Sequence, residues 1–173
     1  TNNHPIDIVS TEMCLNLLEK YEKSKKKIIL EIGCLNGRLA KQIIDNKNYN
    51  YIGSDATNIN MQNLVKKFKD TPFIVFDILK SPFKKSICDA VIMLNVLEHI
   101  ENDDKALIEV HNLLEKNGLL LIEVPVGKFL YDEYDKQLLH FRRYNLKEIT
   151  EKLSRNVFEI EKKTHIGFFI FPL

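Results

Sequence analysis

Acidic residues and glycines recur at the ends of short apolar runs in this sequence, and two histidines stand in the polar loops further along. The first run closes as Glu31-Ile-Gly-Cys-Leu-Asn-Gly37. Glycine at the mouth of a strand lets the backbone turn tightly and approach a ligand. The second run closes at Asp55, in Tyr51-Ile-Gly-Ser-Asp55. A carboxylate there can accept both ribose hydroxyls of a nucleoside lying across a sheet edge. A third run closes at Asp77, which also suits a turn cap. His99 follows a fourth run, and His140 opens His140-Phe-Arg-Arg-Tyr144. Histidine titrates near neutrality, so His99 and His140 are the candidates for a general base. Each also has a structural alternative, lining a pocket or starting a helix for His99 and holding a loop for His140. Arg142 and Arg143 could grip a phosphate or carboxylate through paired hydrogen bonds. Pairing with Asp132, Glu133 or Asp135 to hold the loop is the slightly favoured alternative. Tyr131, Tyr134 and Tyr144 could line a substrate pocket or anchor the same loop.

The elements that must position these residues alternate. Short, nearly continuous apolar runs at Lys27–Ile32, 49–53, 73–76, 89–94 and 119–124 read as parallel strands buried on both faces. Helical stripes lie between them at 37–45, 58–69 and 103–116, and an amphipathic leader covers 9–21. In the third stripe Ala106, Leu107, Val110, Leu113 and Leu114 share a face, with Gly118 as its stop. Residues 125–144 read as irregular. Asn145-Leu-Lys-Glu148 reads as a capping box opening a helix to about 153, and 158–163 as one more strand. This order predicts an α/β domain with a mainly parallel sheet, right-handed crossovers and helices on both faces. Ligands then belong at the carboxyl ends of the strands. The expected organisation is a single domain: a leader over 1–26, a cofactor-binding core over 27–124, and a substrate-side loop, helix and strand over 125–173.

Composition narrows the partners. The 173 residues carry 25 basic and 24 acidic side chains, a net charge of +1 that argues against an obligatory nucleic-acid or anionic-membrane partner. The lysine pairs at Lys66–Lys67 and Lys84–Lys85 and the run at 25–27 read as solvated faces. Cys14, Cys34 and Cys88 form no CxxC pair, so neither zinc nor a disulfide framework is expected, and a reducing cytoplasm fits. No run reaches transmembrane length, so no membrane insertion is expected. The polar first residues do not read as a signal peptide, and the abrupt apolar ending at 167–173 reads as a trimmed, incomplete C-terminal part.

Together the motifs resemble the class I S-adenosylmethionine-dependent methyltransferases. Glu31, Gly33 and Gly37 match the family's acidic residue and spaced glycines, with Leu35 where the middle glycine usually stands. The dehydrogenase spacing GxGxxG would need glycines at Leu35 and Arg38, which disfavours a nicotinamide enzyme. Val96-Leu-Glu-His-Ile100 resembles members acting on small molecules and lipids. Leu113 to Pro125 resembles the following helix end, turn and fifth strand, and His140 to Tyr144 resembles a subgroup segment. The resemblance spans roughly residues 28–163. It implies a Rossmann-like fold and S-adenosylmethionine as cofactor, released as S-adenosylhomocysteine. It implies cofactor contacts by Glu31, Gly33, Gly37, Asp55, Ala56, Asp77, Ile78 and Asn95, with Asp77 on the adenine amino group and Ile78 against its ring. No metal is implied.

The family's Asn/Asp-Pro-Pro-aromatic, Pro-Cys and tandem acidic signatures of nucleic-acid and protein arginine acceptors are missing. With the neutral charge, a small-molecule, lipid or saccharide acceptor is expected. Leu35 also motivates a rival, a noncatalytic domain serving as a partner or regulator.

Overall fold

A computed structural model describes residues 5–21, 27–46 and 48–165. Its strands are β1 (Lys27–Ile32), β2 (Tyr49–Asp55), β3 (Phe73–Val75), β4 (Cys88–Leu94) and β5 (Leu114–Glu123). They form one sheet in the order β3-β2-β1-β4-β5, with every pairing parallel. The helices are α1 (Pro5–Lys20), α2 (Arg38–Ile44), α3 (Met61–Lys67), α4 (Asp103–Leu113), α5 (Glu133–Gln137) and α6 (Leu146–Arg155).

Successive side chains of a strand point to opposite faces, and the central strands use both. On one face Ile29, Tyr51, Ala90, Ile92 and Leu121 pack with Cys14 and Leu18 of α1 and Leu39, Ala40 and Ile43 of α2. On the other, Leu30, Ile32, Val91 and Met93 pack with Ala106, Leu107, Val110 and Leu113 of α4, and with Tyr144 and Ile149. The three cysteines are buried and free, and burial pushes the Cys34 and Cys88 thiols up to about 12. At the amino edge Lys27 pairs with Asp89 at 2.8 Å, so this lysine locks β1 to β4 and is no solvated residue.

Three expectations are corrected. The stripe at 103–116 stops being helical at Leu113, because Leu114 turns extended and pairs with Cys88. Pairing resumes only at Leu119 with Ala90, so residues 115–118 bulge from the ladder with Gly118 inside the bulge. The Asn145 side chain makes no capping hydrogen bond. A capping box does occur, at Asp132 and Asp135 opening α5, inside the stretch expected to be irregular. Residues 158–163 form no strand: the Phe158 amide donates to the Leu153 carbonyl at 3.0 Å and its ring packs edge-on against His111. That contact holds the segment against α6 and α4, away from the sheet. The terminal residues 1–4 and 166–173, with His4, lie outside the described residues. No helix among the described residues is long and apolar enough to cross a membrane.

Candidate active site

The carboxyl edge of the sheet carries two clusters, one beyond β1 and β2, the other beyond β4. The first begins with the loop after β1. Gly33 and Gly37 adopt φ of 81° and 69°, and Leu35 between them adopts 46°. A Cβ on Gly33 would lie 2.5 Å from Val96 Cγ2, and one on Gly37 would lie 2.6 Å from Leu64 Cδ2. Glycine is therefore required at both positions. The leucine takes the left-handed turn that a middle glycine would take, at a cost of about 1 kcal/mol. The Gly33 and Cys34 amides both donate to the Ser54 carbonyl, tying the loop to β2.

Beneath the loop Glu31 is buried and accepts a hydrogen bond from the Tyr51 hydroxyl. Burial pushes its carboxyl up to about 7, with the Tyr51 bond opposing. Asp55 ends β2 with a half-buried carboxylate. The Thr57 amide and hydroxyl donate to its Oδ1 at 3.0 and 3.1 Å; among the described residues no hydrogen bond reaches Oδ2. A cavity of about 80 Å³ lies between Leu35, Asp55, Thr57, Ile59, Asn60 and Met61. Ala56, between two of the lining residues in the chain, is exposed; Asp77, after the neighbouring strand β3, is also exposed and caps the turn at Ile78–Lys80 by accepting from the Leu79 amide. The Ile78 side chain faces inward, 5% exposed in the core. Asn95 is exposed at φ 54°, and its amide nitrogen donates to Glu123 at 3.0 Å. Glu123 also accepts from Ser10, which brings α1 over this edge.

The fit of a nucleoside sulfonium to this edge can be tested on the residues themselves. Two glycines whose Cβ positions are filled by neighbours, an open carboxylate oxygen on Asp55 and an adjoining cavity are what close approach of a ribose needs. They fit.

The second cluster joins residues far apart in sequence. Glu98 lies in the turn Leu97–His99 and is fully buried, with neither carboxylate oxygen hydrogen-bonded among the described residues. Burial pushes its carboxyl up to about 7. His99 is exposed and meets the His140 ring edge-on, centroids 4.6 Å apart. Burial first, then His140, lower the His99 pKa below the ordinary value. His140 Nδ1 lies 2.8 Å from Asp135 Oδ1. Asp135 is itself fully buried, and Arg143 Nε donates to both its oxygens at 2.8 Å. Burial opposes ionisation there, but Arg143 and His140 hold Asp135 down to about 2. The Tyr131 hydroxyl donates to the His140 carbonyl, and the Phe141 amide to the Glu98 carbonyl, each at 2.8 Å. This web fixes the loop after β5 against the loop after β4.

The structure therefore brings His99 and His140 together, and engages Arg143 and Arg142 with protein groups. Arg142 pairs with Asp103 at 2.8 Å and donates to the Glu101 carbonyl. Tyr144 is fully buried, with its hydroxyl donating to Asp103 at 2.8 Å, and Lys152 reaches the same carboxylate at 2.7 Å. Against its burial, Lys152, Tyr144 and Arg142 hold Asp103 below the usual carboxylate range. Sequence reasoning missed Glu98 and Asp135 as partners of the histidines. The residue types were visible, but no ligand spacing joins positions 98–99 to 135–140.

Residues 30–122, more than half of the chain, match the family model described as a methyltransferase domain. The uncharacterized protein MJ0638 of Methanocaldococcus jannaschii is 35% identical over 123 residues, covering 70% of this chain and 51% of that protein. The chain thus spans about half the length of that relative. The tRNA (carboxymethyluridine(34)-5-O)-methyltransferase ALKBH8 of Macaca fascicularis is 32% identical over 123 residues, covering 68% of this chain and 17% of that protein. Phosphoethanolamine N-methyltransferase 2 of Haemonchus contortus, solved with S-adenosyl-L-methionine, superposes with a TM-score of 0.71 at 24% identity, covering 84% of this chain and 36% of that one. The parallel sheet, the glycine loop at its carboxyl edge and the matched family model place this chain among the class I S-adenosylmethionine-dependent methyltransferases.

Proposed function

We propose that the domain transfers a methyl group from S-adenosylmethionine to an oxygen of a small-molecule, lipid or saccharide acceptor held at the His99–His140 pair. When bound, the cofactor supplies a methyl group already activated on sulfonium for in-line displacement, so the chain's work is mostly positioning and exclusion of water. Gly33 and Gly37 give the backbone its close approach, Asp55 offers Oδ2 to the ribose hydroxyls, and Asp77, Ala56 and Asn95 flank them. Glu31 acts from below, holding the loop through Tyr51 and not by contact. The single observation that carries the acceptor reading is the Asp135–His140–His99 contact at the same sheet edge. Asp135 orients the His140 ring, and the ring pair can receive a hydroxyl proton as the acceptor oxygen attacks. Leu139 and Phe141, both exposed, flank His140 and add apolar surface beside it, with the Arg142 guanidinium over the Phe141 ring.

The test is methyl transfer from labelled cofactor into a panel of hydroxylated small molecules and lipids, with bulk tRNA as a separate arm. Incorporation into a hydroxylated small molecule, falling by about a hundredfold or more in His140→Ala, is the expected result. Incorporation into tRNA alone would favour a second reading, which the likeness to ALKBH8 motivates. Absence of transfer to any acceptor despite cofactor binding would turn the argument toward a regulatory domain.

A further inference from the structure

The two histidines have a third neighbour that a free proton acceptor does not need. Glu98 is fully buried beside them, and both of its carboxylate oxygens lack a hydrogen-bond donor among the described residues. A buried carboxylate left without a partner is costly unless another positive or donating group completes it. One ligand atom from each of Glu98, His99 and His140 lies within 4.8 Å of the other two. Ligands to one small divalent ion at about 2.1 Å lie roughly 3 to 4 Å apart, so closure needs shifts of about 1 Å.

We propose that Glu98, His99 and His140 bind a divalent cation. Two imidazole nitrogens and one carboxylate oxygen form the three-ligand set used by open sites for ions such as Mn²⁺, Fe²⁺ or Co²⁺. The surroundings are built for it. His140 has its Nδ1 on Asp135, which Arg143 locks in turn, so Nε2 is the atom presented to the cluster. A carboxylate behind a histidine ligand fixes the tautomer and aims the ring. Because His99 is exposed, the ion's remaining positions open to the surface, where an acceptor oxygen can enter. An ion there would polarise that oxygen and ease loss of its proton, and with the ion bound the histidines would serve as its ligands in place of receiving the proton directly. This use of the ion rests on the proposed methyl transfer; its binding does not.

Mn²⁺ titrated into metal-free protein, followed by loss of the free-ion electron paramagnetic resonance signal, tests the binding. S-adenosylhomocysteine binding is measured on the same samples by calorimetry. Saturable uptake of one Mn²⁺ per chain is expected, weakened at least tenfold in His99→Gln and in His140→Gln. Asp135→Asn is expected to weaken it about tenfold to a hundredfold through the histidine it orients. S-adenosylhomocysteine affinity should stay within about threefold in each variant, which also shows that they fold. No saturable Mn²⁺ uptake by protein that binds S-adenosylhomocysteine would overturn the proposal, as would uptake unchanged in both histidine variants. Mn²⁺ uptake without S-adenosylhomocysteine binding would uphold the ion and overturn the cofactor reading instead.

Discussion

The two clusters at the carboxyl edge are built on opposite plans. Beyond β1 and β2 the site is made of backbone: three left-handed residues within five positions, two glycines with no room for a Cβ, and one carboxylate. Beyond β4 it is made of side chains: a buried acid with no donor among the described residues, two histidines meeting edge-on, and a buried aspartate clamped by arginine. The first plan suits a cofactor whose shape does not vary. The second suits an acceptor, because side chains can be exchanged while the fold stays fixed.

The comparison can be broken most forcefully at the support of the second cluster. Lys152→Met leaves Asp103 with one fewer cation in a buried site, and should cost about 3 to 5 kcal/mol in denaturant unfolding. A loss below about 1 kcal/mol would mean that Arg142 and Tyr144 alone satisfy Asp103. On the backbone side, Gly33→Ala drives a methyl into Val96 at φ 81°. We expect about 3 kcal/mol lost from stability and most cofactor affinity gone, read by thermal melts with and without S-adenosylhomocysteine. Asp55→Ala should spare the fold and weaken cofactor binding by about 2 kcal/mol, roughly thirtyfold, measured by calorimetry.

A pH series sharpens the contrast at Glu31, which faces Tyr51, Cys14 and Cys34. Its folded pKa is raised to about 7, so the folded state holds the proton more tightly than the unfolded chain. That contribution is fully present below the ordinary carboxylate pKa and is lost as pH rises toward 7. Glu31→Gln should therefore gain about 2 kcal/mol relative to the wild type at pH 8, and little at pH 4. Equal differences at the two values would show that Glu31 stays ionised. The smallest expected effect is Leu35→Gly, which relieves the left-handed strain and should raise stability by at most about 1 kcal/mol.

The same contrast explains what could be read in the sequence. The five strands, the helices between them and their order were legible, because β1 and β4 are buried on both faces and appear as nearly continuous apolar runs. Gly33, Gly37 and Asp55 were legible because loop geometry is encoded within a few residues. That Leu35 would adopt the glycine conformation was not, since only the neighbouring turns impose it. The end of α4 was misplaced because Leu114 serves a helix stripe and a strand equally well, and only pairing with Cys88 decides. The Asp132–Asp135 capping box was hidden because its reciprocal acid is aspartate and the flanking residues lack an apolar stripe. His99 and His140 were visible singly. Their meeting, and the part of Glu98 and Asp135 in it, depends on two loops closing over the sheet, which no spacing encodes.

The central claim is that the backbone-built edge holds an adenosyl cofactor. Calorimetric titration of the protein with S-adenosylmethionine, S-adenosylhomocysteine and NAD under one set of conditions tests it directly. Micromolar binding of both adenosyl compounds, abolished or strongly weakened in Asp55→Ala, with NAD silent, is the predicted result. Folded protein that binds neither adenosyl compound, or binds both unchanged after Asp55→Ala, would contradict it.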